Sequence, residues 1–196
     1  MTSSKSQRAY LDEQQAIAQL KQGDLNGLEF LVQQNQVQAV HSAYLILGER
    51  ASAEDVVQTA FLKIARKINQ FNPKYPFRPW FLRIVINDAI KAAKRQQKSV
   101  SFDKPADEAV LDWLTDKTPR PEELAEASDL RRKVWTALQQ LPPEQRAVIV
   151  QRHFLEMSEA EMVEKLERPA STVKWWLHSA RKSLKALLAG ENHENR

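Results

Sequence analysis

Residues 158–188 have the sequence SEAEMVEKLERPASTVKWWLHSARKSLKALL, and this stretch decides the fold of the C-terminal part of the chain. Ser158 and Glu161 have the spacing of a capping box, which predicts a short helix over about 159–167. Pro169 ends that helix, because proline has no N–H to donate and clashes with the preceding turn. A second helix is predicted from Ser171 to Leu188. A short helix, a tight turn and a longer helix predict a helix-turn-helix, whose second helix enters the major groove of DNA.

The predicted helix 171–188 has one apolar face and one basic face. At about 100° per residue, its apolar stripe contains Val173, Leu177, Ala180, Leu184 and Leu187. The basic face lies about 100° away and contains Lys174, His178, Arg181 and Lys185, with Lys182 and Trp175 just beyond them. Trp176 is predicted to pack beside the stripe and Trp175 to be exposed, as an anchor for DNA or a protein partner. An ordinary amphipathic hairpin is the alternative, but no acidic residue lies between 169 and 189 to favour it.

Charge is divided unevenly along the rest of the chain. Residues 1–98 carry a net charge of +6, residues 99–130 a net charge of −6, and residues 131–196 a net charge of +4. Within this acidic segment, residues 99–121 contain three of the nine prolines and have no sustained periodicity, which predicts a linker there with a short turn near 110–114. The excess of positive charge is largest over residues 62–98, which carry a net charge of +9. Such an excess suits contact with a phosphate backbone or, alternatively, a solvated surface.

Helical signals fill both basic parts, and the four glycines and scattered β-branched residues disfavour a sheet. Gly23 and Gly48 are predicted helix stops, and Ser52 with Asp55 predicts the start of a third helix. The predicted helices cover 8–22, 25–47, 53–70, 79–97, 122–140, 143–155, 159–167 and 171–188. The fold class is therefore all-α: two small helical domains joined by a flexible acidic linker, the C-terminal one containing the helix-turn-helix.

Two faces of the N-terminal part carry the candidate binding residues. The third helix buries Val56, Val57, Ala60, Ile64 and Ile68, and leaves outside Asp55, Gln58, Thr59, Leu62 and Arg66. An acid, an amide and a leucine at helical spacing suit a protein interface. The fourth helix places on one face Trp80, Arg83, Asn87, Lys91 and Lys94. The loop before it carries Phe71, Asn72, Lys74, Tyr75, Phe77 and Arg78, the aromatic and cationic types on which single-stranded bases stack. The alternative is that Phe77 and Trp80 cap the core.

Several classes of function are disfavoured by what the sequence lacks. It contains no cysteine, so neither a disulfide framework nor a thiolate metal site is expected. The four histidines show no metal-ligand spacing, and no glycine-rich phosphate loop or nucleophile elbow occurs, so no metal, cofactor or catalytic residue is predicted. No signal peptide or membrane-length apolar run is found, which predicts a cytoplasmic protein without membrane insertion.

The quoted residues resemble the bacterial RNA polymerase sigma factors of the extracytoplasmic-function (ECF) type. The segments AEDVVQTAFL (53–62) and FRPWFLRI (77–84), with Asn87, resemble their second conserved region. The segments ALQQLPPEQR (137–146), STVK (171–174) and ARKSL (180–184) resemble their fourth. The resemblance covers roughly 10–97 and 122–188. It implies a region 2-like domain at 8–97, an acidic linker at 98–121 and a region 4-like domain at 122–189.

The resemblance also implies partners and site residues. The partners are core RNA polymerase, through the clamp helices of its largest subunit and its flap, and promoter DNA; ECF-type factors are often held inactive by an anti-sigma factor. The polymerase-binding residues would be Asp55, Gln58, Thr59, Leu62 and Arg66. The −10 element would be bound by Phe71, Asn72, Lys74, Tyr75, Arg78, Trp80, Arg83, Asn87, Lys91 and Lys94. The −35 element would be bound by Ser171, Thr172, Lys174, Trp175, His178, Arg181, Lys182 and Lys185.

The chain departs from the family pattern at several of these positions. Thr59 stands where an acid is common, and Lys91 where an Asp is common. Met157 and Glu167 replace the usual glycines before and within the helix-turn-helix, and 175–176 is Trp-Trp in place of Ser-Arg. These departures leave open a second hypothesis, a helix-turn-helix DNA-binding regulator without productive polymerase engagement.

Overall fold

The computed structural model describes residues 2–97 and 121–190, and their regular structure is helical throughout. The predicted all-α fold is confirmed for these residues. The helices in chain order are α1 (Thr2–Lys21), α2 (Asn26–Leu47), α3 (Arg50–Lys67), α4 (Phe77–Gln97), α5 (Pro121–Gln139), α6 (Pro143–Ile149), α7 (Glu159–Leu166) and α8 (Ala170–Gly190). A 3₁₀ turn (Ile68–Gln70) extends α3, and a π-helical turn (Val150–Phe154) extends α6. The turn predicted near 110–114 lies outside the described residues.

Three helices begin at least two residues earlier than the sequence predicts. Helix α1 starts at Thr2, before the predicted start at residue 8. Helix α3 starts at Arg50 after the extended residue Glu49, so Ser52 lies inside the helix, and its hydroxyl donates to Glu49 Oε2 at 2.8 Å instead of capping. Helix α4 starts at Phe77, two residues before Pro79. A proline is tolerated in a first turn, because the N–H that it lacks would have no partner inside the helix there.

Helices α1–α4 form the N-terminal lobe around a core of aromatic and branched side chains. The Phe61 and Phe81 rings lie 4.4 Å apart between centroids, and Phe77 stacks on Phe81 at 5.9 Å. Burying each such ring contributes about 2–3 kcal/mol. Helices α1 and α2 cross closely at Gly27, where an added Cβ would lie 2.1 Å from the carbonyl oxygen of Ala16. Close backbone contact therefore fixes this crossing.

Helices α5–α8 form the C-terminal lobe, in which the predicted helix-turn-helix is α7 and α8. The capping box is present: Ser158 Oγ accepts from the N–H of Glu161, and Glu161 Oε2 accepts from the N–H of Ser158. The Ser158 hydroxyl also donates to Glu161 Oε2 at 2.7 Å, and this bond together with the one from the Ser158 N–H lowers the pKa of the Glu161 carboxyl. Helix α7 ends at Glu167, which adopts the left-handed conformation (φ 52°, ψ 44°) that usually favours glycine.

The two lobes pack against each other at the C-terminal end of α2. Trp135 of α5 stacks on Tyr44 at 4.6 Å between centroids, and both rings are buried. Gly48 ends α2 in the left-handed conformation (φ 75°), with its N–H bonded to the carbonyl of Tyr44. A Cβ at Gly48 would lie 2.6 Å from the side-chain oxygen of Gln139. Glycine therefore suits this position for two reasons: it ends α2 in a left-handed conformation, and it leaves room for Gln139 of the second lobe.

The last carbonyls of α2 accept hydrogen bonds from the C-terminal lobe. Gln139 Nε2 donates to the carbonyl of Leu45 at 3.2 Å, and the buried Arg146 guanidinium donates to that of Ile46 at 2.6 Å. Arg146 also donates to the carbonyl of Leu141 in its own lobe, at 3.1 and 3.2 Å. Burial lowers the pKa of Arg146 to about 10. Because the last carbonyls of a helix have no partner within it, these donors satisfy groups that burial would otherwise leave unpaired.

Candidate nucleic-acid interface

The basic face of α8 lies open to solvent, as the sequence predicts. Val173, Leu177 and Ala180 are buried against the preceding helices, and Trp176 and Leu184 pack beside them. The exposed residues of the opposite side are Ser171, Lys174, Trp175, His178, Arg181, Lys182 and Lys185, with Thr172 partly exposed. Trp175 is 60% exposed. An apolar ring among cations can touch base edges or methyl groups while its neighbours contact phosphates.

The outer face of α3 is also exposed. The five residues predicted to bind a protein all lie there: Asp55, Gln58, Thr59, Leu62 and Arg66. Leu62 is 55% exposed, and its polar neighbours leave it as the apolar centre of this face. Inward, Val57, Ala60, Ile64 and Ile68 are buried as predicted, and Val56 is only partly buried. An exposed leucine ringed by polar groups has the composition of a protein contact.

A groove of about 660 Å³ joins the α3 face to helix α4. Asp55 and Thr59 line it from α3, and Lys91 and Lys94 line it from α4. Lys63 and Asp88 also line it and form an ion pair of 2.7 Å. The surface predicted for a protein partner and the surface predicted for a DNA strand are therefore contiguous.

The loop before α4 exposes most of its predicted contact residues. Asn72, Lys74, Tyr75 and Arg78 are exposed, and Tyr75 is 67% exposed. The side-chain oxygen of Asn72 accepts from the N–H of Lys74 at 3.1 Å, which stiffens the turn. Arg78 Nε donates to Asn35 Oδ1 at 3.3 Å, which orients the guanidinium. A shaped loop with one free aromatic ring suits the stacking of an unpaired base.

The sequence-based prediction that Phe71 presents its ring to DNA is wrong. The residue is only 4% exposed, and its ring packs edge-on against Phe77 at 5.7 Å and against Trp80 at 5.0 Å. Its carbonyl accepts from Lys21 Nζ at 3.0 Å. The alternative that aromatics here cap the core holds for Phe77, which is buried, while Trp80 is half-buried. Local sequence could not separate these rings, because burial of Phe71 depends on the return of α4 over the loop.

The C-terminal lobe contacts part of the predicted strand-binding face of α4. Asn87 Nδ2 donates to the carbonyl of Lys165 at 3.4 Å. The cations are held by carboxylates, in the ion pairs Arg83 with Glu167 and Lys94 with Glu144. Lys91 is exposed on the same helix. The sequence does not predict Glu144, Glu167 or Arg146 as site residues, and the only signal for any of them is Glu167 at a position where glycine is usual.

Two histidines lie near the interfaces between elements. The ring of His41 on α2 lies 6.3 Å from that of Phe154 in the π-helical turn, and burial lowers its pKa. The pKa of His153 is lowered by burial and by the positive charges of Arg181 and Arg152. Within the described residues, no three His, Asp or Glu side chains come together as metal ligands. No helix in that part of the chain has the length and apolar content to cross a membrane.

The chain matches two family models along most of its described length. Residues 31–99 match sigma-70 region 2, and residues 131–184 match sigma-70 region 4, so the two models together cover more than half of the chain. The first contains the face of α3, the loop and α4. The second contains the helix-turn-helix.

Relatives and solved structures agree with these models. The ECF RNA polymerase sigma factor SigW of Bacillus subtilis (strain 168) is 28% identical over 178 residues, which cover 88% of this chain and 94% of SigW. The structure of CnrH in complex with the cytosolic domain of CnrY superposes with a TM-score of 0.61, at 23% identity, over 91% of this chain and 98% of that one. The sigma factor RpoE in complex with the anti-sigma factor NepR, from Bartonella quintana, gives a TM-score of 0.59 at 18% identity, over 87% and 98% of the two chains.

Proposed function

The chain belongs to the ECF-type sigma factors of bacterial RNA polymerase, the class that directs the enzyme to promoters, and we propose how its surfaces divide that work. The domain at 8–97 binds core polymerase through the outer face of α3 and holds the melted −10 strand on the loop and α4. The domain at 122–189 binds the −35 duplex with α8. The acidic segment 98–121 connects them.

The main observation that supports this proposal is the exposed basic face of α8. Its cations are exposed, the sequence 170–190 contains no acid, and the helix follows a capped helix across a tight turn. A cationic helix face of this kind gains affinity by displacing counterions from phosphates. Trp175 and Lys174, near the N-terminal end of α8, are the proposed base-reading and phosphate-binding residues. The first turns of a recognition helix are those that reach the groove floor.

The proposed polymerase contact is centred on Leu62. A partly exposed leucine contributes most when a partner covers it and the polar residues around it exclude water. The polar residues around Leu62 are Asp55, Gln58, Thr59 and Arg66. The clamp helices of the polymerase's largest subunit are the proposed partner for this face, and the flap is the proposed partner of the C-terminal domain.

The proposed activity is binding and strand separation without catalysis, in the cytoplasm, where the polymerase and the chromosome meet. Members of this family act as initiation factors. No cofactor is part of the proposal. An anti-sigma factor is a further proposed partner, since the Bartonella quintana neighbour is held by one.

Run-off transcription with core polymerase tests the proposal. The templates are DNA fragments recovered with the full chain by chromatin immunoprecipitation. A transcript from these fragments that depends on the chain is expected. Duplex binding without any transcript would overturn the proposal in favour of the DNA-binding regulator that does not engage polymerase productively.

Leu62→Ala sharpens this test. It should weaken association with core polymerase about tenfold or more, as loss of a central apolar contact does, and leave duplex binding unchanged. Val37→Ala is the matched control, because Val37 is an apolar residue on α2 with a similar exposure of 67%. Equal effects of the two substitutions would contradict the assignment of the α3 face.

A further inference from the structure

The loop of residues 71–76, between the 3₁₀ turn and α4, is tied to helix α1 at both of its ends. At the first end, Lys21 Nζ donates to the carbonyl of Phe71 at 3.0 Å. At the second end, Glu13 Oε1 accepts from the backbone N–H of Phe77 at 3.4 Å. Glu13 and Lys21 lie about 80° apart around α1 and about 12 Å apart along its axis. One helix therefore holds the loop on both sides of its exposed part.

Each of these bonds joins a charged side chain to a backbone group that no helix pairs. The N–H of Phe77 belongs to the first turn of α4, where N–H groups lack an acceptor within the helix and a negative charge is favoured. The carbonyl of Phe71 lies outside the helices and accepts from the ammonium of Lys21. Both α1 side chains are only partly exposed. Hydrogen bonds to charged groups are stronger than neutral ones, so they restrain the ends of the loop effectively.

The interior of the loop is restrained by its own groups. The side-chain oxygen of Asn72 accepts from the N–H of Lys74, and its carbonyl accepts from the N–H of Tyr75 at 3.2 Å. Pro73 and Pro76 fix φ before and after Tyr75. The exposed Tyr75 ring is thus presented on a backbone with few alternative conformations. A group that is already ordered loses less entropy when it binds a ligand.

We propose that α1 sets the affinity of the chain for the melted −10 strand: Glu13 and Lys21 are positioning residues that hold the loop with the Tyr75 ring ready to stack on an unpaired base. This inference rests on the proposed function of the loop. Neither α1 side chain has to contact DNA, because both act through the backbone of the loop. Helix α1 precedes residues 31–99, which match the region 2 model, so that match assigns it no role.

Strand binding by holoenzyme, assembled from the full chain and core polymerase, tests this role of α1. The probe is a short fluorescein-labelled single strand that carries the nontemplate −10 sequence of a promoter transcribed in the run-off assay. The α1 variant, Glu13→Met with Lys21→Met, removes the acceptor and the donor and leaves the net charge unchanged. Its affinity for the strand should fall about tenfold, because the freed loop must be ordered on binding. Its association with core polymerase should stay unchanged.

Two matched variants accompany the α1 variant. Asp12→Met with Lys67→Met also removes one acid and one base, from exposed positions of the same lobe, and should leave strand affinity unchanged. Glu13→Gln with Lys21→Arg keeps an acceptor and a donor and should bind the strand as the wild type does. A fall in either matched variant as large as in the α1 variant would overturn the positioning role.

Coupling to Tyr75 separates positioning from a general loss of structure. Because α1 is proposed to act through the ring, the α1 variant should lose little further strand affinity once Tyr75→Ala is present. The two changes should therefore not be additive. Full additivity would overturn the proposal, since α1 would then act independently of the ring.

Salt dependence and the Tyr75 variant complete the test. The slope of log strand affinity against log salt should be the same in the wild type and the α1 variant, because no phosphate contact is lost. A lower slope in the α1 variant would overturn positioning and place Lys21 on the DNA. Wild-type strand affinity that Tyr75→Ala does not change would overturn the proposed function of the loop itself. A normal effect of Tyr75→Ala beside an unaffected α1 variant would overturn only the role of α1.

Discussion

The faces of α4 and α8 are both basic helix surfaces, but they differ in what lies over them. The cations of α8 face solvent, and no acid occurs along that helix. On α4, Arg83 pairs with Glu167 and Lys94 pairs with Glu144 of the other lobe. Asp88 of α4 pairs with Lys63 of α3. The cations of the proposed duplex-binding face thus have no acidic neighbour on their own helix, while two cations of the proposed strand-binding face are paired with carboxylates of the other lobe.

The largest expected effect is a loss of folding stability, and it distinguishes the buried from the exposed aromatic residues near α4. Phe71→Ala should lower the free energy of unfolding by about 3 kcal/mol, since it empties a buried site between Phe77 and Trp80. Tyr75→Ala should leave stability unchanged and weaken binding of single-stranded DNA, because its ring is exposed. Urea unfolding and strand titration measure the two effects. A stable Phe71→Ala variant that loses strand binding would return Phe71 to the DNA surface.

The second effect concerns the docking of the lobes. Arg146→Met should cost about 2 kcal/mol of stability, because it leaves the buried carbonyls of Leu141 and Ile46 without their charged donor. Arg152→Met is the control: Arg152 is exposed and donates to one carbonyl, that of Met157, at 2.9 Å, so its loss should cost less than about 1 kcal/mol. Thermal unfolding compares them, and equal costs would contradict a special role of Arg146.

A smaller effect is expected from the exposed cations of α8. Lys174→Ala and Arg181→Ala should each weaken binding to −35 duplex and reduce the dependence of log affinity on log salt by roughly one unit. Lys94→Ala, the same kind of change at a cation of α4 that is paired with Glu144, should leave that slope unaltered. Fluorescence anisotropy over a range of salt concentrations measures all three variants. A reduced slope for Lys94→Ala would show that α4 also contacts duplex DNA.

The smallest effect is a dependence of stability on pH. Burial lowers the pKa of His41 in the folded chain, so the unfolded chain binds more protons around the ordinary histidine pKa of about 6.5. The resulting stability is present above that pH and is lost as the pH falls below it. Urea unfolding between about pH 7.5 and pH 5.5 should show this loss, and His41→Gln should reduce it. His153→Gln should also reduce this loss of stability at low pH. Its effect should be smaller in high salt, since the charges of Arg181 and Arg152 contribute to the lowered pKa of His153 and salt screens them. A pH profile untouched by His41→Gln would contradict the buried ring.

The features that the sequence predicted are those with local causes. The Ser158 capping box, the left-handed Gly48 and the two faces of α8 each depend on residues a few positions apart. The misses depend on distant contacts. Ser52 was expected to cap α3, but the helix starts earlier and the Ser52 hydroxyl accepts from Gln96 Nε2 of α4 at 2.9 Å. The burial of Phe71 and the cover over Arg83 likewise require the position of another helix, which periodicity within one segment does not contain.

The double attachment of Arg146 limits how this protein can change by mutation. Its guanidinium serves the fold of the C-terminal lobe through Leu141 and the docking of the lobes through Ile46. A substitution that loosened docking at this position would therefore also damage the fold, and selection would remove it. Glu144 and Glu167 each form one described ion pair to α4, so a substitution there would leave the buried docking contacts in place. Among related sequences, these two glutamates should accordingly vary more than the arginine.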